Sequence, residues 1–415
     1  MVRKRYDWEG GAQLDEHSKR KHKILHEYVL QYIVVRCKHP QQPRFRFAIV
    51  DGFAGAGRYA GGAAGSPLIF VDRVKAAAEE INLARAIEGL PNIDLECHLI
   101  LNDSDPTALS LLKQNIAPLL AEVREASKNL RIETSFLNET FEDAYPTIKT
   151  ILTSAKITNA LFNLDQCGHS YVDRATLVDI IQTYQSEIFY TFSIQSFLAF
   201  LSRTNPDLLL SQLAFLGLPL RDIEQLNFPM SNERWLGTAE RLVFDAFQVC
   251  APFVSPFSIH NPDGWRYWFI HFAKSYRARQ VYNNVLHDNS SSQAHFGRAG
   301  LNMLSYNARH SDGHLYLFDQ AGRTTAVDQL RDDVPRLLSD RGRAINVLDF
   351  YESIYNLTPA HSADILSSLV GHPDVKVTTK SGGERRKAST IKVADTISLN
   401  PQRTFHQMLR PTGNR

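Results

Sequence analysis

Short apolar strands that alternate with helices constrain this chain more than any other feature. The first strand, residues 45–50, has no second polar face, which is typical of a strand buried in a parallel sheet. Further strands, each separated from the next by a helical segment, are predicted at 98–101, 130–137, 160–164 and 187–192. Regular alternation indicates right-handed βαβ units. The sequence therefore predicts an α/β fold with a doubly wound, mostly parallel sheet over residues 17–287.

The sheet domain is followed by segments of different character. Residues 288–312 are rich in Ser, Asn, His and Gly, and the whole of 288–339 is predicted to be a linker or irregular. From residue 340 to 415, two helices, a strand, a basic glycine turn and a second strand follow one another in the order of a winged-helix module. Within the module, helices are predicted at 347–355 and 360–370 and strands at 374–379 and 390–394. Elsewhere, a basic N-terminal arm is predicted at 1–16, a helical insertion at about 200–250 and a late strand near the sheet edge at 265–272.

Positive charge gathers at both ends of the chain, although the net charge is only +2. Residues 1–50 carry 11 Lys and Arg against 5 Asp and Glu, and residues 371–415 carry 9 against 3, so the middle of the chain is acidic. Such basic flanks either bind phosphates or serve as solubilising tails. On the first interpretation, the candidate nucleic-acid-binding residues are Lys21, Lys23, Arg385, Arg386 and Lys387.

Composition excludes several classes of protein. With 43% hydrophobic and 22% charged residues, the chain is neither largely disordered nor collagen-like. No apolar run approaches the roughly 18 residues of a membrane span, and no secretion signal follows the basic start. The four cysteines form no CxxC pair, so neither a zinc site nor a disulfide framework is indicated. We therefore expect a reduced, cytoplasmic protein without a bound metal.

The first strand runs into a glycine-rich loop, Asp51–Gly57. Glycines let a backbone approach a ligand closely, and the helix that follows favours negative groups. Ala60 stands where a dinucleotide fingerprint needs its third glycine, and no Lys-Ser/Thr follows, so a P-loop is also excluded. An acidic residue at this strand tip fits the amino group of a methionine-type cofactor. The candidate cofactor-binding residues here are Asp51, Gly52, Phe53, Ala54, Gly55, Gly57 and Ser66, with Ser66 also predicted as a helix N-cap.

Three further strand tips carry polar residues, and in open parallel sheets ligands lie beyond these ends. Asp103, with Ser104 beside it, suits the hydroxyls of a ribose, whereas Asp105 is expected to cap the next helix. Asn138 and Glu139 follow the third strand and either hold an adenine or belong to a solvated loop. The fourth tip carries the catalytic candidates Asp165, Gln166 and His169, and His169 is equally well explained as a hydrogen-bonded loop residue. Cys167 between them is predicted to be a buried spectator.

These motifs resemble the three-Cys-motif partner protein family. The resemblance is carried by Lys21–Leu25, by Asp51–Tyr59 with Gly61-Gly62 and Gly65–Leu68, by Asp103–Pro106, by Asp165–Gly168, and by Trp268–Ala273. It covers roughly residues 17–285. It implies a class I, Rossmann-like methyltransferase fold, S-adenosylmethionine as cofactor, and a small three-cysteine, radical-type protein as partner.

The chain departs from that family at one position. Gln166-Cys167 replaces the Pro-Phe of the family's Asp-Pro-Phe-Gly pattern, which puts methylation of amino groups in question. The leading functional hypothesis is methyl transfer from S-adenosylmethionine to nucleic acid, DNA or RNA. One alternative is a catalytically weak Rossmann-fold binding or scaffold subunit of a phage-defence-type complex. A second alternative is methylation of a protein or small molecule.

Overall fold

The computed structural model describes residues 7–8, 10–166, 168, 171–260, 266–289, 294–295, 300–301 and 316–400. The chain divides into two compact units, residues 1–285 and residues 286–415. The elements that begin in the first unit are α1 (Glu16–Arg36), β1 (Arg44–Asp51), α2 (Ser66–Ile87), β2 (Asp94–Asn102), α3 (Pro106–Ala126), β3 (Leu130–Leu137), α4 (Phe141–Ser154), β4 (Asn159–Leu164), α5 (Arg174–Thr183), β5 (Gln185–Phe192), α6 (Ile194–Phe200), α7 (Pro206–Leu213), α8 (Leu220–Ile223), α9 (Asn232–Gln248), β6 (Phe253–His260), β7 (Arg266–Ala273) and α10 (Tyr276–Asp288).

The first unit is a twisted sheet flanked by helices, as the sequence predicted. Its strands lie in the order β3-β2-β1-β4-β5-β7-β6, and β1 to β5 are parallel. β7 is antiparallel to both of its neighbours. The strand order reverses between β1 and β4, so the switch point at which such sheets bind ligands falls beside the glycine-rich loop. The fold class is therefore confirmed as Rossmann-like, with an antiparallel strand near the end of the sheet.

One local prediction for the first unit needs correction, and one strand was not predicted. The late strand lies between β5 and β6 and not at the edge, because a further strand, Phe253–His260, pairs with its other side. That strand was not predicted, because it contains Pro256, and a proline normally argues against a strand. The predicted insertion consists of four helices, α6 to α9, joined by short irregular turns.

The second unit contains a winged helix-turn-helix arrangement. Its elements are β8 (Ala294–His295), β9 (Tyr316–Leu317), α11 (Gln320–Asp340), β10 (Ala344–Asn346), α12 (Val347–Ile354), α13 (Ser362–Leu369), β11 (Val375–Thr378) and β12 (Thr396–Leu399). The last three strands form an antiparallel sheet in the order β10-β12-β11. The guanidinium of Arg323 in α11 donates two hydrogen bonds to Asp364 in α13, at 2.8 and 2.7 Å. The module predicted from the order of its elements is thus confirmed.

Details of this unit differ from the sequence-based expectation. The segment predicted to be irregular contains α11, a helix of 21 residues with a buried apolar face that includes Leu330 and Leu338. The second strand of the module lies at 396–399 and not at 390–394. The reason is a turn in which Asp395 N–H donates to the carbonyl of Lys392 at 2.9 Å, and its carboxylate accepts the Lys392 N–H at 2.8 Å.

Helix α1 is attached to the sheet through a buried charged cluster. The carboxylate of Glu187 in β5 accepts hydrogen bonds from the Tyr28 hydroxyl and the Arg36 guanidinium, and lies 3.4 Å from the His271 imidazole. Burial by itself raises the pKa of Glu187, but Arg36, His271 and Tyr28 outweigh it and lower the pKa to about 2. The ionised carboxylate of Glu187 therefore depends on its partners. If α1 left the sheet, Glu187 would lose Tyr28 and Arg36 and its charge would be left without compensation.

We expect Glu187→Gln to reduce the free energy of unfolding at pH 7 by about 3 kcal/mol, because Arg36 loses its partner charge. A carboxyl whose pKa is lowered on folding stabilises the protein above its unfolded pKa, so the difference from wild type shrinks as the pH falls from 4.5 towards 2. Urea unfolding of the wild type and the variant at several pH values measures this difference in the free energy of unfolding. Glu122→Gln, which removes an exposed ion pair with Lys75, is the control and should cost less than about 1 kcal/mol. Equal losses in both variants would contradict the role of the cluster.

Candidate functional site

The carboxyl ends of four strands, β1 to β4, form one hydrogen-bonded edge. The Gly52 N–H, just after β1, donates to the carbonyl of Asn163 in β4 at 2.9 Å. The amide of Asn102, at the end of β2, donates to the carbonyls of Gly52 and Glu139 at 3.1 and 3.0 Å, and its oxygen accepts the Glu139 N–H at 3.3 Å. Asn102 is only 1% exposed. The loops that follow these strands are therefore held in a fixed relation by buried hydrogen bonds.

The carboxylate of Asp103 is directed at the glycine-rich loop. One oxygen accepts the Gly55 N–H at 2.8 Å, and the other accepts the Asp105 N–H at 2.9 Å. Asp105 itself caps α3 by accepting the Thr107 N–H at 2.9 Å, as predicted. Because two backbone donors orient it, Asp103 is a preorganised acceptor at the edge of the sheet where ligands of this fold class bind.

Asp51 has an internal role that the sequence did not reveal. Its carboxylate is fully buried and accepts the Ser66 hydroxyl at 2.6 Å and the Asn163 amide at 3.1 Å. Burial raises the pKa of Asp51 to about 7, although these hydrogen bonds oppose the rise. Ser66 is the first residue of α2, and its N-cap is Gly65. Both side chains are buried and are bonded to each other, so neither is exposed at the edge of the sheet. The direct cofactor contacts predicted for Asp51 and Ser66 stay predictions.

Close packing explains why glycines stand at two positions of the loop. Gly55 has φ +59°, and a Cβ there would lie 2.8 Å from the ring of Trp8. Gly57 has φ +76°, and a Cβ there would lie 2.7 Å from the Leu112 side chain. Both the left-handed backbone and the neighbouring side chains therefore exclude a larger residue.

The segment before α1 covers this loop. The Trp8 ring lies against Gly55 and 5.6 Å from the ring of Tyr59, and the Ala60 N–H donates to the carbonyl of Ala12 at 2.8 Å. Residues 1–16 were predicted to be a basic arm, and nothing in the sequence connected them with the site.

The other predicted cofactor residues lie around the same edge. Gly52 and Ala54 are buried, Phe53 is half-buried, and Ser104 is exposed. Asn138 and Glu139 have exposed side chains, and the Asn138 amide donates to the carbonyl of Asp103 at 2.7 Å. The tip of β3 is therefore joined to the tip of β2, while its two polar side chains remain on the surface.

Asp165, at the tip of β4, forms an ion pair that the sequence analysis did not foresee. The ammonium of Lys21 in α1 lies 2.5 and 2.7 Å from its two carboxylate oxygens. The side chain of Lys21 is 4% exposed and that of Asp165 is 21% exposed. Burial by itself raises the pKa of Asp165, but Lys21 holds it below its usual range. Burial and the Lys21 ammonium lower the pKa of the adjacent His22 to about 4, so His22 is neutral at physiological pH.

Gln166 is buried beside this pair. It is 2% exposed, and its side-chain oxygen accepts the Tyr171 N–H at 2.9 Å, which orients the chain as it leaves β4. His169 and Cys167 lie outside the described residues, so the roles predicted for them stay predictions.

The candidate nucleic-acid-binding residues fall into two groups. Lys23, Arg386 and Lys387 are exposed. The assignment of Lys21 is wrong, because its ammonium is buried against Asp165 and cannot reach a phosphate. Arg385 needs a similar correction, because its guanidinium is bound to Asp395 by two hydrogen bonds of 2.8 and 3.1 Å and holds the turn between β11 and β12.

Four side chains that the sequence analysis did not assign to the site belong to this edge: Trp8, His22, Asn102 and Asn163. Asn102 could have been found from the sequence, because it is a polar residue at the end of a buried apolar strand. The others are brought to the edge by long-range packing. Within the described part of the chain, no three His, Cys, Asp or Glu side chains gather as a metal site, and no helix is long and apolar enough to cross a membrane.

Comparison with known proteins adds two findings. Residues 305–382 match the GMT-like wHTH domain family, which identifies the winged helix-turn-helix domain but covers less than half of the chain. A crystal structure of a Klebsiella pneumoniae protein provisionally named an O-methyltransferase is similar at 10% identity and a TM-score of 0.24, over 63% of this chain and 92% of that chain. No curated protein matches the chain. Membership of the three-Cys-motif partner family stays a prediction.

We expect Gly57→Ala to destabilise the protein by about 2–3 kcal/mol more than Gly61→Ala. Both glycines have φ near +77°, at +76° and +78°, so alanine is strained at either position. Only at Gly57 does the added Cβ meet side chains, those of Leu112 and Leu68 at 2.7 and 2.8 Å, whereas nothing lies within 4 Å at Gly61. Chemical denaturation measures the two losses. If they are equal, close packing does not constrain the loop.

Proposed function

We propose that this protein transfers the methyl group of S-adenosylmethionine to nucleic acid held by its winged helix-turn-helix domain. The observation that supports donor binding most directly is the carboxylate of Asp103, which the N–H groups of Gly55 and Asp105 orient at the carboxyl edge of the sheet. A carboxylate oriented there suits the two hydroxyls of a ribose.

The residues around that carboxylate fit a nucleoside-type methyl donor. The Gly55 N–H is bonded to the Asp103 carboxylate, and Asn138 lies on the adjacent loop, hydrogen-bonded to the Asp103 main chain. The half-buried Phe53 follows β1 and offers an apolar surface. Asp51 is buried and bonded to Ser66 and Asn163, so its contact with the amino group of the donor stays a prediction. When bound, the donor supplies an electrophilic methyl group attached to a sulfonium.

The acceptor side of the proposed reaction lies at the tip of β4. β4 is hydrogen-bonded to β1, with Asp51 opposite Asn163, so Asp165 follows two residues beyond the paired tip. Methyl transfer is an in-line displacement that depends mainly on holding the acceptor atom against the methyl carbon. Asp165, at the neighbouring strand tip, is the side chain best placed to orient that acceptor.

The winged helix-turn-helix domain supports nucleic acid as the acceptor, through its wing (residues 379–395). The helix α13 contains no Lys or Arg, and its Asp364 is bonded to Arg323, so α13 offers no cation for a phosphate. The wing, by contrast, exposes four cations and one acidic side chain: Lys380, Arg386, Lys387, Lys392 and Glu384. Affinity for a phosphate backbone is therefore expected from the wing.

Calorimetry with the purified protein tests donor binding. We expect the wild type to bind S-adenosylmethionine and Asp103→Ala to weaken binding at least tenfold, because loss of a hydrogen bond to a charged acceptor costs about 1.5–3 kcal/mol. Asp94→Ala removes an exposed carboxylate from the opposite end of the same strand and serves as the matched control. Absence of binding by the wild type at millimolar donor, both alone and with its predicted three-cysteine partner, would rule out the proposed function and favour the scaffold alternative.

Salt-dependent binding tests the wing. Replacing Arg386 and Lys387 with Gln should weaken nucleic-acid binding for all sequences alike and reduce the salt slope by about 1.4–1.8, since each phosphate contact contributes about 0.7–0.9. Arg124→Gln with Lys128→Gln removes the same charge from exposed positions of the first unit and should change the slope little. An unchanged slope in the wing variant would reduce the wing to a solubilising segment. Arg385 is kept in both, because its removal would disturb the turn that Asp395 closes.

A further inference from the structure

The ion pair between Lys21 and Asp165 points to the chemical class of the methyl acceptor. We propose that the acceptor is a hydroxyl group, and therefore, in nucleic acid, the ribose 2′-hydroxyl of RNA. This inference rests on the proposed function and makes it more specific, since methylation of a base amino group, in DNA or RNA, is the competing possibility.

The pair is built into the fold and is not a surface contact. Lys21 belongs to the first turns of α1, which begins after the Asp15 cap and is fixed to the sheet further along by Tyr28 and Arg36. The side chain of Lys21 is 4% exposed, whereas that of Asp165 is 21% exposed. Of the two partners, Asp165 is therefore the one that solvent reaches, and the Lys21 ammonium lies behind it.

An amine acceptor needs a different arrangement. The N–H groups of a base amino group need oxygen acceptors, and a neighbouring aromatic ring is needed to hold the base flat. Next to Asp165, Gln166 is buried and its oxygen is used by the Tyr171 N–H, and neither Gln166 nor Cys167 is aromatic.

A hydroxyl acceptor uses the pair well. A hydroxyl becomes a strong nucleophile only as it loses its proton, and the negative charge that develops on its oxygen is stabilised by a nearby fixed cation. Lys21 supplies that positive charge from behind the Asp165 carboxylate, without touching the acceptor. The adjacent His22 stays neutral because burial and Lys21 lower its pKa, so one positive charge faces one carboxylate and the developing oxyanion.

The step balances without any further reactant. The acceptor oxygen forms a bond to the methyl carbon while the carbon–sulfur bond breaks, and the electron pair of that bond stays on sulfur, which becomes a neutral thioether. The hydroxyl proton passes to the carboxylate of Asp165 and from there to water. Lys21 keeps its proton throughout, and its charge is what lowers the energy of the transition state.

The acceptor class decides the nucleic acid. Within a DNA strand the sugar has no 2′-hydroxyl, whereas every RNA nucleotide carries one.

RNA from cells that lack this protein is incubated with the protein, its predicted partner and S-adenosylmethionine labelled in the methyl group, and is then hydrolysed with alkali. Alkaline cleavage requires the free 2′-hydroxyl, so a methylated ribose leaves the adjoining bond intact.

We expect the label in alkali-resistant dinucleotides. Label in mononucleotides, or label accepted by DNA, would overturn the hydroxyl inference while leaving methyl transfer to nucleic acid standing. Label in protein, or no label although the donor binds, would overturn the proposed function itself and the inference with it. The same incubation therefore separates the two failures.

Variants of the pair test whether Lys21 acts in the chemistry. Lys21→Gln should lower turnover about 10²-fold or more, as removal of one oxyanion-stabilising group does, and leave donor affinity within about threefold. Lys19→Gln on the same helix removes an exposed cation and is the control. Because Lys21→Gln leaves a carboxylate without its partner, the double variant Lys21→Gln with Asp165→Asn, which removes both charges, is measured too. A folded double variant that methylates RNA at the wild-type rate would overturn the role of the pair.

Discussion

The hydrogen bonds of one buried amide, Asn102, hold the functional edge of this protein together. Its side chain joins the loop after β1 to the loop after β3, and it stands at the end of the strand between them. A buried amide is stable only when its donors and acceptor are satisfied, so Asn102 and the two loops that it joins constrain one another. The orientation of Asp103, one residue later, depends on that arrangement, because its partner Gly55 belongs to the loop that Asn102 holds.

Helix α1 serves both the stability of the sheet and the candidate site. Near its C-terminal half, Tyr28 and Arg36 satisfy the buried carboxylate of Glu187, and near its start Lys21 satisfies Asp165. Two ion pairs on one rigid helix place the Lys21 ammonium with little freedom. The cost of burying these charges is recovered only when α1 is docked, which ties the chemistry of the β4 tip to the integrity of the fold.

The charge at the two ends of the chain is used in more than one way. Lys21 and Arg385 were grouped by sequence with phosphate-binding cations, yet each is bonded to a carboxylate. Lys23 and the exposed cations of the wing, by contrast, remain available to a polyanion. A dense cluster of basic residues in a sequence therefore overstates the charge that a partner meets, because part of it is neutralised within the fold.

Periodicity and chain order by themselves determined the alternation of strands and helices, the glycine loop, the cap at Asp105 and the order of elements in the winged helix-turn-helix domain. These features depend on neighbours within a few residues, where side-chain spacing and backbone preference act directly. The antiparallel placement of residues 266–273 between two strands, the bond between Asp51 and Ser66, and the burial of Lys21 against Asp165 were decided only by the tertiary structure. Asp165 lies 144 residues from Lys21, and nothing in local spacing reports which side chains packing will bring together at that distance.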